Sequence, residues 1–521
     1  VSKKKIDRST LICRNCLYVT QYKEALDNHI NICFKNKPQR LVMPKDNILK
    51  FKNHYMKSKL PFYLVADFES SNHPISTCSP SNKLSYETKL AKQIPNSFGI
   101  YIHSDHENIV KSEYIEFVTK ENSKEETINK FIDTIISLNE KFTKIFYNYS
   151  NFPTNLIISE LQRERYNNEK NCMYCKKQFL KDRTDKVLDH DHYSGEYRGA
   201  SCNSCNLEEG KQSKFVPIYF HNLSNYDARL FIKELAKRQN EFTKLTILPK
   251  DQETFISFQF GKIRFLDSLR FFQASLDSVA ESLTDQDFIQ TKKYFPNDKQ
   301  FKLIRKKGVY PYEYITSIEK LNETQLPPIE AFYSTLKQKG IKEKKYNHAK
   351  LVWDTFNCKT LKDYHLLYLK SDVLLLHDCF ENFRKVIYKN YEVDPCYSYS
   401  TPGLTCQCGL KFTQVELELL TDEDMILMFE QGIRGGYSGV LGSRHIKANN
   451  KYLPDYDKEK ESNYMLYLDA NNLYGWSMSQ PLPTKNFKWE KENYYKTGKP
   501  CLVECDQEYT AEAMVKTKKF P

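Results

Sequence analysis

A chain of 521 residues, 40% of them hydrophobic and 14% aromatic, exceeds one ordinary domain and can build several packed cores. It begins Val1-Ser2-Lys3-Lys4-Lys5, without the apolar run of a signal peptide, and no stretch approaches the roughly 18 apolar residues of a membrane helix. We therefore expect an intracellular, multidomain protein without a membrane partner, and leave its compartment open between nucleus and cytoplasm.

The formal net charge of +12 is concentrated near the front of the chain, where residues 1–60 hold fourteen Lys or Arg and four Asp or Glu. Such a basic segment predicts either a contact with a polyanion or a solvated, disordered arm. Seven of the 15 cysteines fall into paired or finger-like spacings that also contain His, Asp and Asn. This pattern indicates metal binding rather than disulfide bonding.

The first cysteine group is Cys13-x2-Cys16 followed by His29-x3-Cys33. These four side chains have the types and spacing of a tetrahedral zinc site, and residues 22–29 predict a short helix that carries His29 inward. The segment resembles a Cys-Cys-His-Cys variant of the zinc finger, over residues 1–37, with a basic linker over 38–60. The alternative is a set of unrelated buried cysteines, and the ligand of the finger, nucleic acid or protein, stays open.

An apolar run over residues 62–69 predicts a buried strand on which Asp67 and Glu69 point to the same face. Two adjacent carboxylates repel each other unless a cation lies between them, and a divalent metal is the usual solution. Residues 98–118 predict two further strands and residues 123–141 a helix. Together they predict the start of an RNase H-like mixed sheet in an α/β domain.

Two later segments supply further acids. A strand over residues 215–220 precedes Asp227, which we expect at a strand-to-helix turn facing the first pair of acids. In the helical pattern of residues 361–388, Tyr368 and Asp372 are four residues apart and share one face. This spacing allows Asp372 to bind a metal while Tyr368 orients an attacking water.

The three segments resemble the Exo I (DxE), Exo II (Nx2-3[FY]D) and Exo III (YxxxD) motifs of the 3′–5′ proofreading domain of family B DNA polymerases. The resemblance implies two Mg²⁺ (or Mn²⁺) ions about 4 Å apart, bound by Asp67, Glu69, Asp227 and Asp372, with Tyr368 placing the water. In the protein-primed branch of this family, Asn222, Tyr226, Ser275 and Leu276 match residues that hold the single-stranded 3′ end. For Ser275 and Leu276 the alternative is an ordinary helix start.

The segment between Glu69 and Asp227 is longer than the sheet requires and contains its own cluster. Two pairs, Cys172-x2-Cys175 and Cys202-x2-Cys205, bracket Asp189-His190-Asp191-His192, and Asn206 follows the last cysteine. Paired CxxC spacings are a strong zinc signal.

Residues 165–214 resemble the recombination endonuclease VII branch of the HNH, or ββα-metal, nucleases. The resemblance implies a structural Zn²⁺ on the four cysteines, Mg²⁺ on Asp189 and Asn206, His190 as general base, and accessory roles for His192 and Glu209. Val187 departs from the family, which often has another His there, so the alternative is a zinc-bound insertion with little or no cleavage.

The last part of the chain contains two motifs of a polymerase. Arg434, Gly435 and Gly436 resemble the [Y/I]xGG motif that contacts template in protein-primed enzymes. A strand predicted over residues 465–468 delivers Asp469, and the segment resembles motif A, in which Asp469 binds the metal–nucleotide complex and Tyr474 packs under the sugar. The form of this motif, with the insert and the finger, resembles the polymerases of Polinton or Maverick elements and their adintovirus relatives.

A second palm carboxylate and a Lys-bearing fingers helix do not appear before Pro521, so we expect a truncated product that does not polymerise DNA as it stands. We assign residues 61–164 and 215–410 to the exonuclease and 411–521 to the start of an α+β palm, and we take the Lys-rich residues 280–350 to be surface helices and loops.

The leading hypothesis is the N-terminal part of a family B DNA polymerase with proofreading, acting in replication of a viral or transposon-like element. Its partners would be primer-template DNA, single-stranded 3′ ends, dNTP in the full-length enzyme and a protein primer. Two alternatives stay open: a zinc-containing, structure-selective endonuclease, and a non-catalytic DNA-binding relic with a zinc finger.

Overall fold

The computed structural model describes residues 11–15, 18–35, 42–75, 91–120, 123–180, 184–212, 214–251, 254–433, 439, 445–489 and 503–508. The chain divides into two compact units, one made of residues 1–50 with 415–521 and the other of residues 51–414. Within the described residues, no helix is both long enough and apolar enough to cross a membrane.

The structure is mixed α/β. The strands, in chain order, are β1 (Leu11–Ile12), β2 (Val19–Thr20), β3 (Ile48–Leu49), β4 (Phe62–Pro74), β5 (Ala91–Ser104), β6 (Glu113–Val118), β7 (Lys186–His190), β8 (Tyr197–Cys202), β9 (Val216–Phe220), β10 (Leu245–Pro249), β11 (Phe255–Phe260), β12 (Ile263–Asp267), β13 (Leu417–Glu418), β14 (Leu482–Trp489) and β15 (Val503–Glu508).

The α-helices are α1 (Lys23–Cys33), α2 (Lys124–Asn151), α3 (Glu160–Asn168), α4 (Asn203–Gln212), α5 (Asp227–Lys237), α6 (Leu269–Phe272), α7 (Leu276–Glu281), α8 (Ile289–Tyr294), α9 (Asp298–Ile304), α10 (Glu343–Thr355), α11 (Leu361–Tyr391), α12 (Thr401–Thr413), α13 (Glu423–Gly432) and α14 (Leu473–Met478). Short 3-10 turns occupy His54–Lys57, Ile318–Asn322, Ile329–Phe332 and Pro395–Tyr397.

A seven-stranded mixed sheet, in the order β10-β11-β12-β9-β4-β5-β6, is the frame of the unit formed by residues 51–414. Strands β12, β9 and β4 run parallel to one another, whereas the neighbouring pairs on either side are antiparallel. Because successive side chains of a strand point to opposite faces, β4 serves two cores. Leu64 packs with α2 and α5, and Val65 packs with α11.

Helix α11 lies against β4 and β5 and is held there by buried polar contacts. Its first turn has a capping box, in which the side chains of Thr360 and Asp363 each accept from the other residue's backbone N–H. Near its end, the guanidinium of Arg384 pairs with Asp394 at 2.8 Å, and both side chains are almost completely buried. The carboxylate of Asp394 also accepts from the N–H of Leu60 at 2.7 Å.

The strands and helices predicted for residues 62–69, 98–118, 123–141, 215–220 and 361–388 are confirmed, and α2 extends to Asn151. Two expectations were wrong. Residues 465–468 form no strand, and their side chains are exposed, because a strand needs a partner and none of the described residues pairs with them. Residues 280–350 are not confined to the surface, since Tyr310, Ile315 and Val352 pack with α11 in a core of their own.

Removing the carboxylate of Asp394 should destabilise the unit formed by residues 51–414. Asp394→Ala leaves the buried guanidinium of Arg384 with only the longer contacts to Glu381 and Asp105, at 3.7 and 3.8 Å, and we expect a loss of about 3 kcal/mol in the free energy of unfolding. Urea-induced unfolding followed by circular dichroism measures it. The matched control is Glu234→Ala in the exposed Lys237–Glu234 pair, which should cost less than about 1 kcal/mol; equal losses for both variants would contradict the prediction.

Candidate active site

A cleft of about 250 Å³ opens where β4 passes between α5 and α11. Acidic, aromatic and basic side chains share its wall: Asp67, Phe68, Glu69, Ser70, Gln93, His221, Asn222, Tyr226, Asp227, Leu276, Lys307, Tyr312, Asp372 and Leu376. All four acids predicted from the three motifs are among them. Their roles in catalysis stay predictions, but the fold brings them to one place.

The acids come together because β4, the start of α5 and α11 meet at this point. Asp67 and Glu69 lie on the face of β4 that meets α11, and the ligand oxygens of Asp67, Glu69 and Asp372 all lie within 4.8 Å of one another. Asp227 is the first residue of α5 and is 2% exposed. Burial, followed by the negative charge of Asp372, raises the pKa of Asp67 to about 7, although the charge of Lys307 opposes the shift. Burial and the neighbouring acids also raise the pKa of Glu69 and of Asp227.

Two carboxylate oxygens in this cleft lack hydrogen-bond partners and are free to accept a ligand. Oδ1 of Asp227 and Oδ1 of Asp372 are buried and have no hydrogen-bond partner. A buried carboxylate oxygen without a partner is costly. Oxygen ligands from several carboxylates are the set that Mg²⁺ and Mn²⁺ prefer, so these residues fit a divalent-metal site.

Lys307 contributes a cation to this cleft that the sequence did not reveal. Its ammonium forms an ion pair with Asp372 and lies 5.6 Å from the ring centre of Tyr368. Burial lowers the pKa of Lys307, but the charges of Asp372 and Asp67 outweigh this effect and raise it overall. Lys307 therefore stays charged and partly neutralises the acids.

Tyr368 lies beside the acids with its hydroxyl 2.8 Å from the hydroxyl of Tyr312. Burial and the charges of Asp372 and Glu69 raise the pKa of Tyr368 well above its usual value. The phenol therefore stays protonated, and its O–H can orient an oxygen ligand. Tyr312, like Lys307, comes from the segment that we expected to lie on the surface.

Three of the four residues predicted to hold a DNA end, Asn222, Tyr226 and Leu276, line the same cleft. Asn222 adopts φ +80° in the loop before α5, and the hydroxyl of Tyr226 donates to Oγ of Ser70 at 3.0 Å. The loop is anchored by Asp267, which accepts from the N–H of Asn222 at 2.9 Å. Ser275 caps α7 by accepting from the N–H of Ser278, as the alternative of an ordinary helix start predicts. Leu276 nevertheless lines the cleft.

The insert has a second metal-competent group. Sγ atoms of Cys172, Cys175, Cys202 and Cys205 lie within 4.8 Å of one another, the arrangement of a tetrahedral zinc site. Strands β7 and β8 form a hairpin that α4 follows directly. The two cysteine pairs thus join the loop before the hairpin to the start of α4.

Asp189, at the end of β7, is engaged by an arginine that the sequence interpretation did not consider. Nε of Arg198 donates to Oδ1 of Asp189 at 2.7 Å, and its terminal nitrogens reach Glu209 at 3.2 and 3.4 Å. Oδ2 of Asp189 is buried without a partner. Asn206 is half-buried on α4. A free, buried carboxylate oxygen again fits a metal ligand, with Arg198 holding the other oxygen.

Two histidines lie at this centre. The ring centres of His190 and His192 are 5.1 Å apart. Nδ1 of His192 donates to the carbonyl of Tyr149, at 3.1 Å, which belongs to α2 rather than to the insert. Burial and the charge of His190 lower the pKa of His192. His192 is therefore neutral at physiological pH, with Nε2 as its acceptor.

Comparison with known families gives two matches. The family described as DNA polymerase type B, organellar and viral, matches residues 211–506, more than half of the chain. The chain belongs to this family. The recombination endonuclease VII family matches residues 153–235, which include the insert.

One curated relative is a protein from Ascobolus immersus described as a probable DNA polymerase. It is 27% identical in an alignment 254 residues long, and the alignment covers 46% of this chain and 19% of the relative. The chain therefore spans only part of this relative. No solved structure gives a significant match.

The remaining predicted residues of this family member lie in the unit made of residues 1–50 and 415–521. Ligand atoms of Cys13, His29 and Cys33 lie within 4.8 Å of one another, whereas Cys16 lies outside the described residues. Arg434, Gly435 and Gly436 also lie outside them. Asp469 and Tyr474 are exposed, and Asp469 belongs to none of the metal-competent groups that the described residues form.

The crowded acids predict a pH-dependent stability for the chain free of Mg²⁺ and Mn²⁺. The pKa of Asp67 is raised to about 7, above its unfolded value of about 3.9. Its contribution is therefore fully present below the unfolded pKa and is lost as the pH rises through 7. We expect the stability gain of Asp67→Asn, which cannot ionise, to be small near pH 5 and clearly larger near pH 8.

Urea unfolding midpoints at the two pH values, in buffers free of Mg²⁺ and Mn²⁺, measure this difference. Asp133→Asn changes an exposed acid on α2 and should show no such pH-dependent gain. If Asp67→Asn gains nothing at pH 8, the acids do not repel one another as described.

Proposed function

We propose that residues 51–414 carry a metal-dependent 3′–5′ exonuclease that proofreads for a family B DNA polymerase. The observation that carries the proposal is the convergence of Asp67, Glu69, Asp227 and Asp372 on one cleft, with two of their oxygens buried and unpartnered. The strand order β6-β5-β4-β9-β12, antiparallel then parallel, supports an RNase H-like domain. DNA is the substrate that this family implies.

In this proposal the protein's own residues bind the metals, orient the attacking water and offset part of the negative charge. The four acids hold the metals, and Lys307 offsets part of their charge near Asp372. The protonated phenol of Tyr368 orients the attacking water, and Tyr312 holds that phenol in place. Bound divalent ions would activate the water and stabilise the leaving 3′-oxygen. An unpaired 3′-terminal base would lie against Tyr226 and Leu276, since aromatic and apolar surfaces bind bases without sequence preference.

Residues 411–521 would contribute the start of the polymerase palm. In this part of the proposal, Asp469 binds the metal–nucleotide complex of a dNTP and Tyr474 lies beneath its sugar, while Arg434, Gly435 and Gly436 contact template. The motif resemblance and the family match over residues 211–506 support it. Replication of a viral or transposon-like element, with a protein primer, is the corresponding biological role.

Two variants separate metal binding from water positioning in the exonuclease. Asp67→Ala removes a ligand and should lower release of mononucleotides from a single-stranded 3′ end by at least about 100-fold, together with Mn²⁺ affinity. Tyr368→Phe should lower turnover and leave Mn²⁺ affinity within about threefold, because the phenol oxygen acts on the water rather than on the metal.

Gel analysis of a 3′-tailed oligonucleotide and Mn²⁺ titration monitored by electron paramagnetic resonance measure the two effects. Asp133→Ala, outside the cleft, is the control and should retain full activity. Undiminished mononucleotide release by Asp67→Ala would refute the exonuclease proposal.

The insert supports a second activity. We propose that the β7-β8-α4 unit is a ββα-metal endonuclease centre in which Asp189 and Asn206 bind Mg²⁺ and His190 is the general base. The specific observation is the buried, unpartnered Oδ2 of Asp189, together with the endonuclease VII match. His190 suits the base role because its ordinary pKa lies near neutral pH.

Internal cleavage of branched or nicked DNA tests the insert apart from the exonuclease. In an Asp67→Ala background, His190→Ala should lower the rate of internal cleavage by at least about 100-fold, which is the lower end of what general-base catalysis contributes. His445→Ala, which changes an exposed histidine in the other unit, should leave the cuts unchanged. Internal cuts that survive His190→Ala would remove this histidine from the mechanism.

A further inference from the structure

A group of lysines lies where the insert meets the core of the same unit. Lys57 belongs to the 3-10 turn His54–Lys57, Lys176 and Lys177 follow the first cysteine pair of the insert, and Lys411 lies on α12. The charges of Lys176 and Lys411 both act on Lys57. Lys177 and Lys411 both act on the neighbouring His54. We call Lys57, Lys176, Lys177 and Lys411 the cationic patch.

The positive charge of the cationic patch is largely unneutralised. Nζ of Lys57 donates to the carbonyl of Met173 at 2.9 Å, and no carboxylate of the described residues forms an ion pair with it. The pKa of Lys57 is lowered by burial first and then by Lys176 and Lys411. The neighbouring acid is Glu392, whose carboxylate pairs with Lys411 at 3.0 Å.

The cationic patch has a fixed geometry. Lys176 adopts φ +62°, which turns the chain sharply after the first cysteine pair, and the carbonyl of Lys177 accepts from the N–H of Cys172 at 2.9 Å. The core side is tied to the insert by the hydroxyls of Ser58 and Tyr174, 3.1 Å apart. Half of the patch therefore comes from the insert and half from the core, and hydrogen bonds join the two halves.

The patch also adjoins the candidate endonuclease centre. Tyr174 is 3% exposed, and its ring centre lies 6.0 Å from Nζ of Lys57. The charges of Arg198, Asp189 and Glu209 act on the hydroxyl of the same tyrosine. Tyr174 therefore lies beside Lys57 and within electrostatic reach of Asp189 in the candidate endonuclease centre.

A structural role for these lysines has to be distinguished from binding. Four thiolates around one Zn²⁺ leave net negative charge, and the charge of Cys172 acts on Lys57. Lysines that only offset this charge would be needed for zinc retention. Lys176 and Lys177 are exposed, however, and offer their ammonium groups to solvent.

We propose that the cationic patch binds backbone phosphates of duplex DNA and seats the duplex against the insert. Lysines that contact phosphates release the counterions of DNA, which makes the affinity steeply dependent on salt. The proposal concerns a binding surface and does not depend on the exonuclease activity proposed above.

The test is a charge-removing triple variant, Lys57→Gln with Lys176→Gln and Lys177→Gln, in the full chain. Asp67→Ala and His190→Ala are present throughout, so that DNA is not cut. The matched control is Lys337→Gln with Lys339→Gln and Lys344→Gln, which removes the same charge from exposed residues of the same unit. Fluorescence anisotropy with a blunt duplex measures affinity between about 50 and 200 mM salt.

For the patch variant we expect weaker binding and a salt slope that is less steep by about 2–3, because each phosphate contact contributes about 0.9. The control should keep the native slope, and both variants should keep the native zinc content. Lysine acetylation followed by mass spectrometry should show that duplex DNA protects Lys176 and Lys177 and leaves Lys337 and Lys339 reactive.

Equal slopes for the two triple variants would overturn the proposal. Loss of zinc from the patch variant together with loss of binding would also overturn it, and would assign the lysines to neutralising the thiolates. Because both activities are disabled in every protein compared, failure of the exonuclease proposal does not alter either outcome.

Discussion

Repulsion among buried carboxylates is the constraint on which the rest of this protein depends. Asp67, Glu69, Asp227 and Asp372 are enclosed at one end of the central sheet, and the raised pKa values of Asp67, Glu69 and Asp227 show the cost of ionising the acids together. Lys307 offsets only part of that charge. A site with this imbalance favours the binding of cations.

The acids can be crowded only because other contacts hold α11 and β4, the elements that carry three of them, against each other. Helix α11 is fastened to β4 by Tyr63, whose hydroxyl meets Nε2 of His377 at 2.9 Å, and to the segment before β4 by Arg384, which donates to the carbonyl of Leu60. These contacts are on the same helix and strand as Asp372 and Asp67. Burial of polar groups in satisfied networks tends to fix one arrangement of a core, and here that arrangement keeps mutually repelling groups together.

The insert is less autonomous than its motifs suggest. His192 is oriented by the carbonyl of Tyr149 in α2, and a side chain at Gly195 would lie 2.3 Å from the carbonyl oxygen of Asn155 in the connecting segment. Gly195 also adopts φ +79°, which favours glycine. Residues of the core therefore help to position the candidate endonuclease centre. The cationic patch likewise combines residues of the core with residues of the insert.

The sequence alone determined the residues with local signatures. The apolar run over residues 62–69 identified a buried strand with Asp67 and Glu69 on one face, and the four-residue spacing of Tyr368 and Asp372 placed both on one helix face. These signals are local because strand and helix periods are set by the backbone.

Only the tertiary structure decided which distant groups join them. Lys307, Tyr312 and Arg198 carry no periodic or motif signal, and the first two lie in a segment that we expected on the surface. They reach the two centres because long-range packing brings their elements there, and the energy of that packing depends on contacts between residues far apart in the chain. For the same reason an apolar run such as residues 465–468 does not make a strand by itself: strand pairing requires a partner.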